Sequence, residues 1–179
     1  MYYILASKSP RRNELLKMLI PDFIVEVSNV DESKIKETPY KLSEKLSYLK
    51  AEAIFKKHPD ATIIAADTIV ILNNEILGKP KDEQDAFRML KELSNNVHDV
   101  VTGFTIISKD KCITKSVLTK VYFNELTDEL INAYIATKSP LDKAGAYGIQ
   151  DKNFPLIKKI DGSYYNVMGL PIEEMKNYL

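Results

Sequence analysis

Cysteine, histidine and net charge are scarce in this sequence, and each scarcity excludes something. The 179 residues include one cysteine, Cys112, so no internal disulfide can form and a reducing compartment is expected. The two isolated histidines, His58 and His98, argue against a zinc site. The formal net charge is zero, so no overall field draws the chain to nucleic acid or to a membrane surface.

Long apolar runs are also missing. No run approaches the roughly 18 residues that a membrane helix needs, and the apolar stretch at the N-terminus is too short for a signal peptide. A cytoplasmic soluble protein is therefore expected. The composition, 45% hydrophobic and 28% charged, is that of an ordinary globular protein. With no repeat, low-complexity segment or linker, a single domain over residues 1–179 is expected.

Strand and helix signals mix without strict alternation, which predicts an α/β fold with a mixed sheet rather than a doubly wound one. Helix starts are predicted by capping residues, two of them followed by proline: Ser9-Pro10, Thr38-Pro39, Asp82 and Thr127. Strands are predicted at Tyr2–Ala6, Phe23–Ser28, Ala61–Leu72, Glu75–Leu77, Val97–Ile107 and Ile113–Phe123, and a hairpin is predicted from Phe154–Ile160 and Tyr164–Met168.

Arginine is rare, and two of the three arginines are adjacent in "SKSPRR" at a helix start. A helix N-terminus presents free N–H groups and the positive end of its dipole, so Arg11 and Arg12 are electrostatically misplaced there. A bound phosphate would offset that cost, and Ser7 lies beside them. The alternative is an exposed basic turn with salt bridges, for instance to Glu14.

Two further segments carry charge in unusual places. Asp67 lies inside the apolar run "AADTIV", where a carboxylate is costly unless it is paired or functional. The alternative is that Asp67 turns the chain or caps a backbone N–H. In "LGKPKD", Gly78 permits close approach to a ligand and Lys79 is suited to phosphate, although a plain turn before the Asp82 cap is the simpler interpretation.

The segment "DKAGAYGIQD" predicts either a wall around a ligand or a flexible surface loop. Gln150 within it has both a donor and an acceptor, which suits reading the edge of a nucleobase. Glu32 alone would be taken for solvated surface. Lys50 lies at the edge of the predicted apolar stripe Leu42, Leu46 and Leu49, from which it could reach a cleft or simply extend to solvent.

Six motifs together resemble the Maf family of nucleoside triphosphate pyrophosphatases, once linked to septum formation. In chain order they are "LASKSPRRNELL", "AADTIV", "GKPKD", "VVTG", "LDKAGAYGIQ" and "GSYYNVMGLP". They run from Leu5 to Pro171, nearly the whole chain, and six motifs in order are far more specific than any one of them.

The resemblance implies a Maf/inosine-triphosphatase-like α/β fold. Such a fold has an elongated mixed sheet flanked by helices, and two lobes around a central cleft. The implied reaction is hydrolysis between the α and β phosphates, which yields a nucleoside monophosphate and pyrophosphate. A divalent metal cation, Mg or Mn, is the implied cofactor. A homodimer is the implied assembly, and neither nucleic acid nor membrane is an expected partner.

The resemblance also implies roles for individual residues. Asp67 corresponds to the catalytic proton acceptor, and Glu32 to an acidic position near the metal and the water, so both would ligate the metal. Three positions correspond to substrate selection: Arg11, Thr68 and Gln150. Four correspond to the phosphate pocket: Ser7, Arg12, Lys50 and Lys79.

Arg11, Thr68 and Gln150, together with "GKP" and "YGIQ", are similar to the subgroup that acts on dTTP and UTP. Other functions remain open at this point. One is a pyrophosphatase for modified nucleotides, a house-cleaning enzyme, or for 7-methyl-GTP. Another is a nucleotide-binding regulator of septum formation, which the acidic pair Asp67 and Glu32 argues against unless metal is bound.

Overall fold

The computed structural model describes residues 2–179, within which seven strands and six α-helices are found. The strands are β1 (Tyr3–Leu5), β2 (Ile24–Val25), β3 (Thr62–Leu72), β4 (Glu75–Leu77), β5 (Val97–Ser108), β6 (Lys111–Phe123) and β7 (Ile157–Asp161). The helices are α1 (Pro10–Lys17), α2 (Pro39–Phe55), α3 (Glu83–Leu93), α4 (Asp128–Ala136), α5 (Tyr164–Met168) and α6 (Ile172–Met175).

The strands form a mixed sheet, which confirms the predicted α/β class. The strand order is β2-β1-β3-β5-β6-β7, with β4 paired to β3. β1 is parallel to β2 and to β3, whereas β4 is antiparallel to β3 and β7 is antiparallel to β6. Across the described residues 2–179, no helix has both the length and the apolar character that crossing a membrane requires.

Local capping chemistry starts the helices where it was predicted. The side chains of Ser9, Asp82 and Thr127 each accept a hydrogen bond from a backbone N–H in the first turn of the helix that follows. Thr38 occupies the N-cap position of α2, but its side chain makes no capping bond. There, Pro39 supplies the helix start through its fixed φ.

The chain divides into two compact units. The first comprises the segment up to Thr68, Val101–Val117 and Tyr165–Leu179. It packs one apolar cluster on each face of its part of the sheet. One cluster joins Ile64, Ala66 and Phe104 to α1 and α6, and the other joins Ile63 and Ala65 to α2. Side chains of β3 therefore alternate between the α1 face and the α2 face of the sheet.

The second unit comprises Ile69–Val100 and Leu118–Tyr164 and contains α3, α4, β4 and β7. Its segment Ser139–Asp151 forms two short 3-10 helices, Ser139–Asp142 and Ala144–Ala146, and residues 145–148 are buried. The alternative of a flexible surface loop is therefore wrong for this segment. The prediction of a single domain stays a prediction.

The predicted hairpin between Phe154–Ile160 and Tyr164–Met168 is wrong in its second half. The first half is strand β7, which pairs with β6, but the second half is helix α5. Gly162 has φ 134° and lies against Thr119, where an added Cβ would be 2.6 Å from the Thr119 hydroxyl. The chain therefore turns away from the sheet at this glycine, and the three-residue spacing of Tyr165 and Met168 packs both onto the α1-side cluster.

The strand predicted at Phe23–Ser28 is shorter than expected. Only Ile24 and Val25 pair, with Ile4 and Leu5 of β1. Both are exposed at the edge of the sheet, because no further strand covers β2 among the described residues.

Candidate active site

The candidate site of the first unit lies where β1 ends and β3 continues. In the parallel pairing of these strands, Leu5 is opposite Ile64, and β1 ends at Leu5. Asp67 and Thr68 follow three and four residues beyond Ile64, past the end of that pairing. Because strand side chains alternate, Asp67 points to the α2 face and Thr68 to the α1 face.

On the α2 face, one ammonium group holds two carboxylates. The Nζ of Lys50 lies 2.8 Å from Oδ1 of Asp67 and 2.9 Å from Oε1 of Glu32. The side chains of Lys50 and Asp67 are each 13% exposed, and that of Glu32 is 52% exposed. Asp67 therefore lies within a strand and pairs with a side chain, so the alternative of a turn or a backbone cap is wrong.

Close packing of α2 on β5 brings Lys50 to this position. A Cβ added to Gly103 would lie 2.3 Å from the backbone carbonyl carbon of Ser43, so only glycine permits the approach. Ser43 and Ser47 are fully buried on the same helix face, and Lys50 follows Ser47 by three residues. The buried residues of α2 are Ser43, Leu46, Ser47, Ala51 and Ile54, so the stripe includes serines. Lys50 is intermediate in burial and lies at the edge of this stripe, beside Ala51.

The donor set suits a divalent cation that also binds substrate. No group of three or more His, Cys, Asp or Glu side chains is placed to hold a metal among residues 2–179. Mg²⁺, however, is commonly bound by one or two carboxylates together with substrate phosphates and water. Glu32 and Asp67 are both within reach of one cationic atom, so these two residues fit such a metal.

At the N-terminus of α1, Ser7 is left as a hydrogen-bond donor. Its hydroxyl oxygen accepts from the backbone N–H of Ser9 at 3.2 Å and from Nη1 of Arg12 at 3.4 Å. Both lone pairs are therefore used, and the hydroxyl proton has no acceptor among the described residues. A buried hydroxyl in this state suits a phosphate oxygen.

Arg11 and Arg12 differ in how many of their N–H groups already donate hydrogen bonds to the protein. The only hydrogen bond of Arg11 within residues 2–179 is a long one, from Nε to the Met168 carbonyl at 3.4 Å. Its two terminal nitrogens therefore remain available for a ligand. Arg12 instead donates to the Gly169 carbonyl at 2.8 Å, to Thr68 at 3.0 Å and to Ser7. Three of its five N–H groups are thus used by the protein.

Burial sets the electrostatics of Arg12. Burial lowers the pKa of the Arg12 guanidinium from its usual range, and the neighbouring charge of Arg11 lowers it further. The carboxylates of Asp67 and Glu32 act in the opposite direction and raise this pKa. An arginine remains protonated under all ordinary conditions. The lowered pKa therefore means that nearby carboxylates do not fully offset the cost of burying this positive charge. An anion at the site would supply the missing compensation.

In the second unit, a hydrogen-bond network holds the backbone around Gln150. The hydroxyl of Tyr134 donates to Oδ2 of Asp151 at 2.6 Å and accepts from the N–H of Gly148 at 3.0 Å. Ser139 donates to the same carboxylate oxygen at 2.6 Å. The residues on either side of Gln150 are therefore fixed through one buried phenol.

The side-chain amide of Gln150 is incompletely satisfied. Its Oε1 is enclosed and has no donor among the described residues. An added Cβ at Gly148 would lie 3.1 Å from this oxygen, and the methylenes of Lys143 are also close to that position. A buried acceptor without a partner costs about 1–3 kcal/mol, so rotation of the side chain toward a ligand donor would be favourable.

Lys79 is exposed and makes no hydrogen bond or ion pair with the described residues. The neighbouring Gly78 carbonyl accepts from the N–H of Gly145, which ties this turn to the segment that carries Gln150. An added Cβ at Gly78 would meet open space, so the glycine is not required by protein packing.

The predicted residues thus fall into two groups. The first unit brings together Ser7, Arg11, Arg12, Glu32, Lys50, Asp67 and Thr68, whereas Lys79 and Gln150 belong to the second unit. The sequence analysis gave no role to Thr102, Tyr134 or Asp151. Thr102 bonds to Thr68, and the bond between Tyr134 and Asp151 helps to hold the backbone around Gln150. A threonine inside the apolar "VVTG" run was the available signal for Thr102.

Comparison with known proteins places the chain in a family. The Maf-like protein family matches residues 2–179. The chain belongs to the Maf family. A relative from Thermosipho africanus, named dTTP/UTP pyrophosphatase, is 55% identical over 179 residues, which cover all of this chain and 92% of that protein. A relative from Pyrococcus furiosus with the same name is 55% identical over 94% of this chain and 89% of its own length.

A third Maf relative, from Clostridium novyi, also bears the name dTTP/UTP pyrophosphatase and is 48% identical over 98% of this chain and 94% of that protein. Among solved structures, the Ham1 protein of Staphylococcus aureus is similar with a TM-score of 0.48 and 22% identity, covering 72% of this chain and 73% of that one.

Proposed function

We propose that this Maf protein is a nucleoside triphosphate pyrophosphatase that hydrolyses dTTP and UTP to the monophosphate and pyrophosphate. The observation that carries the proposal is the arrangement in the first unit. A helix N-terminus lies at the end of β1 and presents, among the described residues, an unpaired serine proton and a guanidinium with both terminal nitrogens unbonded; a buried carboxylate lies on the adjoining strand. The names of the relatives support dTTP and UTP as substrates.

Phosphate binding is assigned to cations and to one hydroxyl. A nucleoside triphosphate carries about four negative charges near neutral pH, so several cations are needed. Arg11 offers a fork of two nitrogens that matches two phosphate oxygens, and Ser7 offers a proton. Arg12, Lys50 and Lys79 supply the remaining positive charge, which also stabilises charge that spreads over phosphorus in the transition state.

Asp67 is assigned as the proton acceptor. It takes a proton from a water molecule whose oxygen attacks a phosphorus of the α–β anhydride, while the bond to the bridging oxygen breaks and its electron pair leaves with the departing phosphate group. Lys50 keeps the Asp67 side chain in one orientation before substrate arrives. Glu32 and Asp67 would hold the divalent metal, which when bound neutralises phosphate charge and lowers the pKa of bound water.

Base selection is assigned to Gln150 with Arg11 and Thr68. Uracil and thymine present an N–H donor between two carbonyl acceptors, and a glutamine amide can match one donor and one acceptor of that edge. The enclosed Oε1 of Gln150 is the acceptor that would meet the base N–H after side-chain rotation. Cytosine has an acceptor nitrogen in place of this N–H, so an amide that keeps this orientation would discriminate against CTP.

The test is pyrophosphate release from UTP, dTTP, CTP, GTP, 7-methyl-GTP and modified pyrimidine triphosphates, with and without Mg²⁺ or Mn²⁺. UTP and dTTP are expected to be the best substrates. Asp67→Asn should reduce turnover about 100- to 10,000-fold while nucleotide binding, followed by calorimetry, persists. Asp60→Asn, at an exposed position of the same unit, is the matched control. Full hydrolysis by Asp67→Asn would show that the base is another group.

The homodimer and the cytoplasmic location stay predictions. Light scattering of the purified protein measures the first, and cell fractionation the second.

A further inference from the structure

The hydroxyl of Thr68 takes part in a chain of three hydrogen bonds within the first unit. Its oxygen accepts from Nη2 of Arg12 at 3.0 Å and lies 2.9 Å from the hydroxyl of Thr102. The Thr102 hydroxyl lies 3.0 Å from the backbone carbonyl of Asn166, which can only accept. Thr102 is fully buried, so water is not an alternative partner for it.

The direction of every proton in this chain follows from the partners. A threonine hydroxyl has one proton, and the proton of Thr102 must go to the Asn166 carbonyl. Thr102 therefore accepts from Thr68, whose own proton is used in that bond. The reverse order would leave two oxygens facing each other without a proton at 3.0 Å in a buried place, which is unfavourable.

Thr68 is consequently left with one lone pair and no proton for a ligand. This is the opposite of Ser7, which has a free proton and no free lone pair. Both hydroxyls accept hydrogen bonds from the guanidinium of Arg12. Arg12 therefore lies between Ser7, which can donate to a ligand, and Thr68, which can accept from one. Phosphate oxygens are acceptors and would be unfavourable next to Thr68.

We propose that Thr102 is a positioning residue for substrate selection, because it takes the proton of Thr68 and makes Thr68 an acceptor for a donor group of the nucleoside. The inference rests on the proposed function, which places Thr68 among the selecting residues. The donors that dTTP and UTP share are the base N3–H, which is already assigned to Gln150, and the sugar 3′-hydroxyl, which is therefore the donor expected at Thr68. Thr68 is half-buried, so its remaining lone pair can be reached by such a group.

The experiment compares kcat/KM for dTTP with that for N3-methyl-dTTP and for 3′-deoxy-dTTP, each of which lacks one donor. The wild-type protein is expected to discriminate against 3′-deoxy-dTTP by about fivefold or more, because that analogue lacks the donor assigned to Thr68. Thr102→Val frees the Thr68 proton while preserving shape, and it should reduce that discrimination about fivefold. Discrimination against N3-methyl-dTTP, whose missing donor is assigned to Gln150, should be unchanged in this variant.

Two further variants separate this role from a structural one. Thr102→Ser restores the hydroxyl and should restore the discrimination. Thr105→Val removes an equally buried hydroxyl of β5, one that bonds Ser47 and Thr114, and should leave the discrimination unchanged. If Thr102→Val does not fold, Thr68→Val removes the lone pair itself and should abolish the discrimination.

Unchanged discrimination against 3′-deoxy-dTTP in Thr102→Val, or a wild-type protein that treats this analogue like dTTP, would overturn the proposal while leaving pyrophosphatase activity intact. Absence of pyrophosphate release from dTTP itself would instead overturn the proposed function. The two failures are therefore distinguishable.

Discussion

Replacing Tyr134 by phenylalanine removes one oxygen from the network behind Gln150 and keeps the ring. The ring centroid lies 5.0 Å from that of Phe154, a contact that phenylalanine preserves. The lost hydroxyl leaves the N–H of Gly148 without its acceptor and Asp151 with Ser139 as its remaining hydroxyl donor. Burial raises the pKa of Tyr134 above its usual range, and the bond to Asp151 adds to this, so the phenol is a neutral donor.

The magnitude follows from the two bonds. A hydrogen bond to a charged group contributes about 1.5–3 kcal/mol and a neutral one about 0.5–1.5 kcal/mol. Tyr134→Phe should therefore lower the free energy of unfolding by about 2–4.5 kcal/mol. Because Gly148 and Asp151 enclose Gln150 in the sequence, loosening them should also reduce the preference for UTP over CTP several-fold.

Urea denaturation measures the first effect, and kcat/KM for UTP and CTP measures the second. Tyr147→Phe is the matched control, because Tyr147 is also buried but its hydroxyl lies 2.6 Å from Nε2 of His98 instead. The control should lose stability and keep the nucleotide preference. If Tyr134→Phe unfolds at the same urea concentration as the wild type, the hydrogen bonds assigned to Tyr134 do not hold this segment.

Two other outcomes are expected. Burial lowers the pKa of His98 to about 4 from its ordinary 6.5, so folded-state stability falls as pH drops below 6.5, by about 2 kcal/mol between pH 7 and pH 5. His98→Gln should remove that part of the pH dependence in urea unfolding, and an unaltered dependence would contradict it. Gln150→Ala should widen the nucleotide range more than it lowers kcat for UTP, and an unchanged preference across the nucleotide panel would refute the role of Gln150.

Local chemistry made much of the fold predictable. Ser9, Asp82 and Thr127 cap helices through bonds to backbone atoms three residues away, so the sequence contains the whole interaction. Asn73 and Asn74 both have positive φ, as expected for a tight hairpin turn, and they join β3 to β4 between the predicted strands Ala61–Leu72 and Glu75–Leu77. In contrast, the helical Tyr164–Met168 was mistaken for a strand, because its aromatic composition favours strands and its direction depends on Gly162 against Thr119.

The contacts of the candidate site were harder to predict from the sequence, because they join segments that are far apart along the chain. Lys50 meets Asp67 across 17 residues, and Arg12 meets Gly169 across 157 residues. Asp67 was recognised because a carboxylate in an apolar strand is unusual, whereas Glu32 and Thr68 gained roles only through the resemblance to the Maf family. The buried stripe of α2 was misplaced because Ser43 and Ser47 take the positions expected of apolar residues beside Gly103.

The adjacent arginines illustrate why lysine would not serve in a chain that otherwise prefers it. Arg12 must reach Ser7, Thr68 and the Gly169 carbonyl at once, which requires a planar group with donors in several fixed directions. A lysine ammonium could neutralise an anion there, but it could not span those three acceptors from one helical position. Arg11, one residue earlier, keeps its terminal nitrogens unoccupied by the described residues, so its fork is available for the phosphate that the proposed function assigns to it. Placing two cations at a helix N-terminus is electrostatically unfavourable. Three acceptors of the protein offset part of this cost at Arg12, and in the proposed function a substrate phosphate would offset the rest at Arg11.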